Sequence, residues 1–307
     1  MSPAAEARRM LLDTSSLMYR AFFSVPQSIV DRDGQPSNAV HGYLDWMGRL
    51  AVTRRPAEMI HVYDADWRPA PRVAIYDGYK STRLPDPPAL PPQFDVLRDV
   101  LDAFGADQVE AEGWEADDAI GVIAATAGDD ERVDIVTGDR DLIQLVRDPV
   151  VRVLFTVKGV TDLRQYDEAG VVEKYGLPPS RYAEFAMLRG DPSDGLPGVK
   201  GVGEKTARLL VEAYPSIWAM VADAMAATSA GALLRNGPRL KAALRDAGPY
   251  LEKMRDIVPV RTDVALTSWR KPRDDERLDE LAAHYDLKGP VQRLRAALDR
   301  GRILPEP

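Results

Sequence analysis

The feature that most limits how this chain can fold is an alternation of short apolar runs with amphipathic stretches in its first half. Three runs have the length and composition of buried strands: RMLLD at 9–13, MIHVYD at 59–64 and VDIVTG at 133–138. Helical patterns occur near 37–51, 93–104 and 116–127. This alternation predicts an α/β fold in which a mostly parallel sheet is flanked by helices.

The second half of the chain has a different pattern. VVRVLFTV at 150–157 and the following KGVTDLRQY predict a further strand and a hairpin. Beyond about residue 167 the strand signal fades, and short helical segments are separated by Gly and Pro. We therefore predict an α/β core over 1–175 and a helical region over 176–307. LPDPPALPP at 84–92 predicts a loop, because proline is excluded from helix interiors.

Acidic residues follow each of the three predicted strands: Asp13, Asp64, Asp139 and Asp141. Open parallel sheets bind ligands outside the carboxyl ends of their strands, so these side chains should meet at one edge. Glu115, Asp117 and Asp118 begin a predicted helix, where capping alone would explain a single cluster. Two clusters at one edge predict divalent cations, because crowded carboxylates repel one another.

The residue types narrow the choice of cation. The chain has no cysteine, which excludes disulfides and thiolate metal sites and fits a reducing cytoplasm. His41, His61 and His284 are scattered, and we expect them to be structural or to lie at the surface. Oxygen ligands without cysteine or paired histidine favour Mg²⁺ or Mn²⁺ over zinc.

Charge and hydropathy bear on partners and location. The net charge of −8 by itself argues against a nucleic-acid partner, because proteins that bind phosphates normally have an excess of basic residues. If the nine carboxylates named below line a cation site, however, the rest of the chain is nearly neutral and can carry basic patches. MSPAAEARRM is followed by a short apolar stretch that contains Asp13, so we expect neither a signal peptide nor a membrane span. The expected location is the cytoplasm.

Six stretches together resemble the motifs of the bacterial 5′-3′ exonuclease, or flap endonuclease, family, which is best known as the amino-terminal domain of DNA polymerase I. In family order from residue 11 they are LLDTSSLMYRAFF, VYDADWRPAPR, YDGYKSTR, GWEADDAIG, IVTGDRDLIQLV and LRGDPSDGLPGVKGVGEKTA. The resemblance implies a PIN-like α/β fold with a helical arch near 76–98. It also implies a helix-hairpin-helix with a three-residue turn at 195–211.

The resemblance extends the acidic set to nine residues: Asp13, Asp64, Glu115, Asp117, Asp118, Asp139, Asp141, Asp191 and Asp194. It assigns the first metal mainly to Asp13, Asp64, Glu115 and Asp117, and the second to Asp139, Asp141 and Asp194. It implies that Asp118 and Asp191 act through bound water. Two positions depart from the family pattern: Thr14 replaces a common glycine, and Gly195 replaces a common asparagine.

Catalysis would also need positive charge near the phosphate, and YDGYKSTR offers Lys80 and Arg83, spaced one helical turn apart. Taken alone, this pair would more simply be a solvated basic face. The family pattern implies that both side chains reach the scissile phosphate from the base of the arch. Two bound cations would activate the attacking water and stabilise the leaving oxygen.

A phosphate-binding turn is predicted from the stretch GLPGVKGVGEKTARLL. Its glycines permit a tight turn whose free N–H groups, at the start of a helix, can bind a phosphate of the DNA backbone. The predicted contacts are Lys200, Gly201, Gly203, Lys205 and Thr206, and the resemblance adds a monovalent cation such as K⁺ at this hairpin. Arg20 and Arg72 are predicted to position DNA. For the neighbouring aromatics Tyr19, Phe22, Phe23 and Tyr43, core packing is the favoured interpretation over base stacking.

Together these features predict a metal-dependent, structure-specific 5′ nuclease that removes flaps or RNA primers in replication and repair. Its expected partners are branched or flapped DNA and RNA–DNA primer junctions. Because no polymerase sequence follows before residue 307, we expect a stand-alone monomer. The alternatives are a PIN-type ribonuclease and a non-catalytic module that binds branched DNA.

Overall fold

A computed structural model describes residues 8–301 of the chain. The ends of the two predicted regions, 1–7 and 302–307, lie outside the described residues, as does most of the stretch considered for a signal peptide. Between residues 8 and 301, no helix is long and apolar enough to cross a membrane.

The described chain forms one seven-stranded sheet in the order β6-β5-β4-β1-β2-β3-β7. The strands are β1 (Arg9–Asp13), β2 (Glu58–Tyr63), β3 (Asp107–Glu110), β4 (Val133–Thr137), β5 (Val151–Lys158), β6 (Asp162–Tyr166) and β7 (Thr267–Trp269). The five strands from β1 to β5 pair in parallel, and the two edge strands, β6 and β7, are antiparallel to their neighbours. The predicted mostly parallel α/β fold is therefore confirmed.

Helices cover the sheet and build the C-terminal half. In chain order they are α1 (Thr14–Ser24), α2 (Asn38–Arg54), α3 (Ala70–Ile75), α4 (Pro91–Phe104), α5 (Ala116–Thr126), α6 (Glu168–Tyr175), α7 (Tyr182–Arg189), α8 (Glu204–Ala213), α9 (Ile217–Met225), α10 (Ala232–Asn236), α11 (Pro238–Asp246), α12 (Gly248–Met254), α13 (Asp275–His284) and α14 (Lys288–Gly301).

The sheet separates two apolar cores because its central strands are buried on both faces. On β1, Met10 and Leu12 pack on the side covered by α2, α4, α13 and α14, whereas Leu11 packs with α5 and the helices from α6 to α12 on the other side. Alternate residues of a strand point to opposite faces, so one apolar run serves both cores. β1 also lies between β4 and β2, which puts its carboxyl end at the point where the strand order reverses.

Two details differ from the sequence prediction. β7 lies in the region predicted to be helical, and it extends the sheet by pairing with β3, so the C-terminal segment returns to the α/β core. Residues 76–90, within the predicted helical arch, form turns and extended chain between α3 and α4. Lys80 has a positive φ of 51°, and the three prolines at 85, 87 and 88 remove backbone donors, so a continuous helix is not possible there.

Candidate metal centre and DNA-binding surfaces

The carboxyl ends of the parallel strands open into a groove of about 1640 Å³. Seven of the nine predicted acidic residues line it: Asp13, Asp64, Glu115, Asp117, Asp139, Asp141 and Asp194. The carboxyl ends of β1, β2 and β4 supply Asp13, Asp64, Asp139 and Asp141, and the start of α5 supplies Glu115 and Asp117. Asp118 and Asp191 are not among the residues that line the groove.

Asp13 ends β1 and lies at the centre of the groove floor. Its carboxylate accepts hydrogen bonds from the Thr137 hydroxyl at 2.6 Å and from the Ser16 N–H at 3.1 Å, so it also caps α1. Burial, together with the nearby charges of Asp64 and Asp139, raises the pKa of Asp13 to about 7. A carboxylate held in this position is stabilised by a cation close to it.

Asp64 and Glu115 are positioned by the start of α5. The Asp64 carboxylate accepts a 2.7 Å hydrogen bond from the N–H of Ala116, in the first turn of that helix. Glu115 is the N-cap residue of α5 and forms a reciprocal capping box with Asp118. Capping, the simpler interpretation of this cluster, is thus correct for Glu115 and Asp118, yet Glu115 also faces the groove.

Asp117 and Asp141 have carboxylates that accept no hydrogen bond from any of residues 8–301. Burial raises the pKa of both carboxyls well above its ordinary value, and the charge of Asp139 raises it further. Burial likewise raises the pKa of Asp194, with Lys80 opposing the shift. Unpartnered carboxylates beside other acids are the donor set that a hard divalent cation requires, so the groove fits such an ion.

Arg72 and Asp118 form a buried ion pair. Arg72 is 4% exposed, and its guanidinium donates to both carboxylate oxygens of Asp118 at 2.7 Å, to Glu115 at 2.8 Å and to the Ile257 carbonyl at 3.2 Å, which uses four of its N–H groups. Asp118 is fully buried in this pair and also accepts a 2.9 Å hydrogen bond from the Arg261 N–H. Arg72 lines the groove, so its contact with DNA stays a prediction, whereas Asp118 faces Arg72 instead of the groove.

Lys80 and Arg83 both line the groove, although they are not on one helix. The Lys80 ammonium is 7% exposed and contacts Glu115, while the Lys80 N–H donates to the Asp194 carbonyl at 2.8 Å. Burial alone would lower the pKa of Lys80, but Glu115 and Asp194 raise it above its ordinary value. Arg83 is more exposed, and its guanidinium lies 4.0 Å from the Asp194 carboxylate.

The two remaining predicted groups near the groove are Asp191 and Arg20. Asp191 accepts the Ser193 N–H at 2.9 Å and lies 3.6 Å from Arg189, so it stabilises the turn that carries Asp194. Arg20 lines the groove and donates to the Gly138 carbonyl at 2.9 Å. A Cβ on Gly138 would lie 1.8 Å from the Arg20 Nε, so only glycine permits this approach.

The turn of the predicted hairpin lies between α7 and α8, and Leu196 near its start lines the groove. Lys200, Gly201, Gly203 and Lys205 are exposed, and Thr206 is half-buried in the first turn of α8. The N–H groups of Gly201 and Gly203 donate no hydrogen bond within residues 8–301, and no atom lies within 4 Å of a Cβ built on either residue. The structure thus presents an open backbone surface next to two lysines.

The sequence prediction did not include Tyr79, which is buried at the base of the groove. Its hydroxyl donates to Glu115 Oε2 at 2.5 Å, the same oxygen that Arg72 binds at 2.8 Å. Its position directly before Lys80 in YDGYKSTR was the available signal.

The core packing predicted for four aromatics is confirmed for Phe22 and Tyr43 but is wrong for Tyr19 and Phe23, which are 48% and 60% exposed and line the groove near the end of α1. The groove also has the exposed apolar residues Trp67 and Leu84, which lie in loops and gave no periodic pattern.

Two family models match the chain over most of its length. Residues 8–176 match the 5′-3′ exonuclease N-terminal resolvase-like domain, and residues 177–298 match the 5′-3′ exonuclease C-terminal SAM fold. A 5′-3′ exonuclease of Streptomyces coelicolor is 46% identical over 309 residues, which cover 94% of this chain and 99% of that protein. DNA polymerase I of Mycobacterium bovis is 37% identical over 90% of this chain, which spans 31% of the polymerase.

Solved structures share the fold. A bacteriophage T5 flap endonuclease, crystallised as a pseudo-enzyme–product complex with DNA and metal ions, superposes with a TM-score of 0.65. The alignment covers 96% of this chain and 99% of that one at 17% identity, a level that shows likeness of fold alone. Since both family models and a full-length relative at 46% identity match, the chain belongs to the 5′-3′ exonuclease family.

Proposed function

We propose that this protein is a Mg²⁺- or Mn²⁺-dependent 5′ nuclease that hydrolyses phosphodiester bonds at the base of 5′ flaps and at RNA–DNA primer junctions in replication and repair. The observation that carries the proposal is the convergence of seven carboxylates and the Lys80 ammonium in one groove. Membership of the 5′-3′ exonuclease family supports the same reaction.

Each group in the groove has a proposed role. Asp13, Asp64, Glu115 and Asp117 would hold one cation, and Asp139, Asp141 and Asp194 a second. Bound divalent cations supply an activated water and stabilise the leaving oxygen. Lys80 and Arg83 offset the charge that develops on the phosphate. The donor set contains only carboxylate oxygens, which supports Mg²⁺ or Mn²⁺.

The hairpin between α7 and α8 is proposed to bind the duplex arm of the substrate. Its free N–H groups and exposed lysines can hold a phosphate without reading bases, so the enzyme would recognise branch geometry instead of sequence. A K⁺ ion bound by hairpin carbonyls belongs to the same proposal. We further propose that the protein acts as a cytoplasmic monomer.

A labelled substrate panel tests this function. Flap, nicked, gapped and RNA-primed duplexes, each labelled at the 5′ end, should be cut only with Mg²⁺ or Mn²⁺ present and fastest at the flap base. Ca²⁺ and EDTA serve as metal controls. Cleavage of single-stranded RNA in preference to every duplex would instead identify a PIN-type ribonuclease, and flap binding without cleavage in any metal would identify a binding module.

Gly203→Val tests the hairpin separately from the chemistry. Gly203 has φ −92° and ψ −176°, which valine adopts without strain, and its position is open, so the fold should be unchanged. The added side chain would keep a phosphate from the free N–H. We expect weaker binding of flaps with long duplex arms, and a larger defect at higher salt because Lys200 and Lys205 contacts are then screened.

The measurements are Kd and the single-turnover rate on flaps with long and short duplex arms. At saturating enzyme the rate should largely recover, and short-armed substrates should be nearly unaffected. Val172→Ala, on the exposed face of α6, is the control for a harmless surface change. Equal losses on both arm lengths, or an unchanged Kd on long arms, would assign the hairpin a structural role only.

A further inference from the structure

The buried Arg72 has a role that neither the motif pattern nor the family model assigns. We propose that Arg72 is a positioning residue that orients Glu115 for metal binding and ties this ligand to the C-terminal segment 257–261. The inference rests on the proposed metal-dependent function, because it concerns how one proposed ligand is held. It is a role separate from the DNA contact predicted from the sequence.

The two carboxylate oxygens of Glu115 have different partners. Arg72 Nη1 and the Tyr79 hydroxyl both donate to Glu115 Oε2, at 2.8 and 2.5 Å, so this oxygen is fully occupied. Lys80 contacts the other oxygen, Oε1, from the groove side. Glu115 is therefore fixed through Oε2 by Arg72 and Tyr79, and its second oxygen, Oε1, faces Lys80 in the groove.

Arg72 is itself held by several buried contacts. Its Nη1 and Nη2 bind the two oxygens of Asp118 at 2.7 Å, and its Nε donates to the Ile257 carbonyl at 3.2 Å. The guanidinium also lies 5.8 Å from the Tyr79 ring and 5.6 Å from the Trp114 ring. A two-pronged pair with a buried carboxylate fixes both position and orientation, which lysine could not reproduce.

The pair formed by Arg72 and Asp118 is linked to the C-terminal region. Asp118 Oδ1 accepts the Arg261 N–H at 2.9 Å, and Arg72 binds the Ile257 carbonyl, so both members of the pair contact segment 257–261. Arg72 belongs to α3, and Asp118 to the first turn of α5. One buried ion pair thus joins the base of the 76–90 loop, the ligand-bearing end of α5 and the chain that follows α12.

Arg72→Lys provides the main test, with Arg152→Lys as its matched control. Arg152 also forms a two-pronged pair with a buried aspartate, Asp134, at 2.6 and 3.0 Å, but at the opposite end of β4 from Asp139. Calorimetric titration of Mn²⁺ into the DNA-free protein measures the affinity of the proposed metal site without any contribution from DNA contacts. We expect Arg72→Lys to weaken Mn²⁺ binding by about 10- to 100-fold, as loss of a group that orients a metal ligand does.

The same variant should need more Mg²⁺ for half-maximal single-turnover cleavage, while its Kd for a flap without metal stays within about threefold because a buried guanidinium does not touch phosphate. Arg152→Lys should leave both the Mn²⁺ affinity and the Mg²⁺ requirement unchanged, even if it lowers the melting temperature. Asp118→Asn keeps the shape of the pair and should shift Mn²⁺ affinity in the same direction, which covers the case in which Arg72→Lys fails to fold.

Unchanged Mn²⁺ affinity in Arg72→Lys and Asp118→Asn would overturn the proposal and leave the pair a purely structural role. A loss of flap affinity as large as the loss of rate would make Arg72 a DNA contact instead. A wild-type protein that binds Mn²⁺ but cuts no flap would contradict the proposed function, while the Mn²⁺ titrations of the two variants would still decide the role of Arg72.

Discussion

Asp141→Asn is expected to abolish cleavage, by at least about 10³-fold at saturating Mg²⁺, while flap binding changes only a few fold. The reason is that the Asp141 carboxylate accepts no hydrogen bond within the described part of the chain and lies in a groove of acidic side chains. Metal-ion stabilisation of a transition state is worth several kcal/mol, and each 1.36 kcal/mol is about tenfold in rate. Single-turnover cleavage and equilibrium binding of the same flap measure the two effects.

The fold should survive this substitution. Burial and the charge of Asp139 raise the pKa of Asp141, which means that its ionised form destabilises the folded state once the pH rises above the ordinary carboxyl range. Removing that charge should leave the melting temperature of the metal-free protein unchanged or higher at neutral pH. Asp129→Asn, at a fully exposed carboxylate, is the matched control and should cut normally. Mg²⁺-dependent turnover retained by Asp141→Asn would remove Asp141 from the metal site.

The acidic residues at the strand ends could be predicted from the sequence, because their positions depend only on short segments of the chain. Asp13 and Asp64 directly follow short apolar runs, and parallel strands bring such positions to one sheet edge without any knowledge of side-chain packing. The two departures from the family pattern are also explained by the structure. Gly195 has φ 69°, and a Cβ built there would lie 2.3 Å from the Gly78 carbonyl oxygen, so the close approach of these two backbone segments requires glycine. Thr14 is buried and bonds Tyr43 through its hydroxyl at 3.1 Å.

Helical periodicity alone could not separate Asp117 from Asp118, because adjacent residues on a helix point about 100° apart and only packing decides which one faces the groove; the family resemblance supplied that distinction. Asp118 rotates towards Arg72, a partner 46 positions earlier in the chain. The spacing of Lys80 and Arg83 suggested a helical turn, but the tertiary contact between the Lys80 N–H and the Asp194 carbonyl holds that segment outside helical geometry. β7 has only three residues, and its pairing with β3 depends on chain far away in sequence.

Lys80→Ala has the second-largest expected effect, a loss of about 10²- to 10³-fold in the single-turnover rate. If the ammonium meets charge that develops on the phosphate, this loss corresponds to about 2.7–4 kcal/mol, by analogy with the donors of an oxyanion hole. Binding should weaken far less, because the contact strengthens only in the transition state. Lys158→Ala, an exposed lysine that lines the same groove, is the control for a general loss of positive charge.

The contact between Lys80 and Glu115 makes the metal concentration the deciding variable in this experiment. A lysine that merely neutralised Glu115 would leave Arg72 and Tyr79 holding that carboxylate after substitution, so the variant would change its Mg²⁺ requirement and recover its rate at saturating Mg²⁺. A lysine that meets the phosphate leaves a rate deficit that no Mg²⁺ concentration removes. Single-turnover rates across a Mg²⁺ titration, with Kd measured in Ca²⁺, therefore separate the two roles. An affinity loss equal to the rate loss would reassign Lys80 as a general phosphate contact.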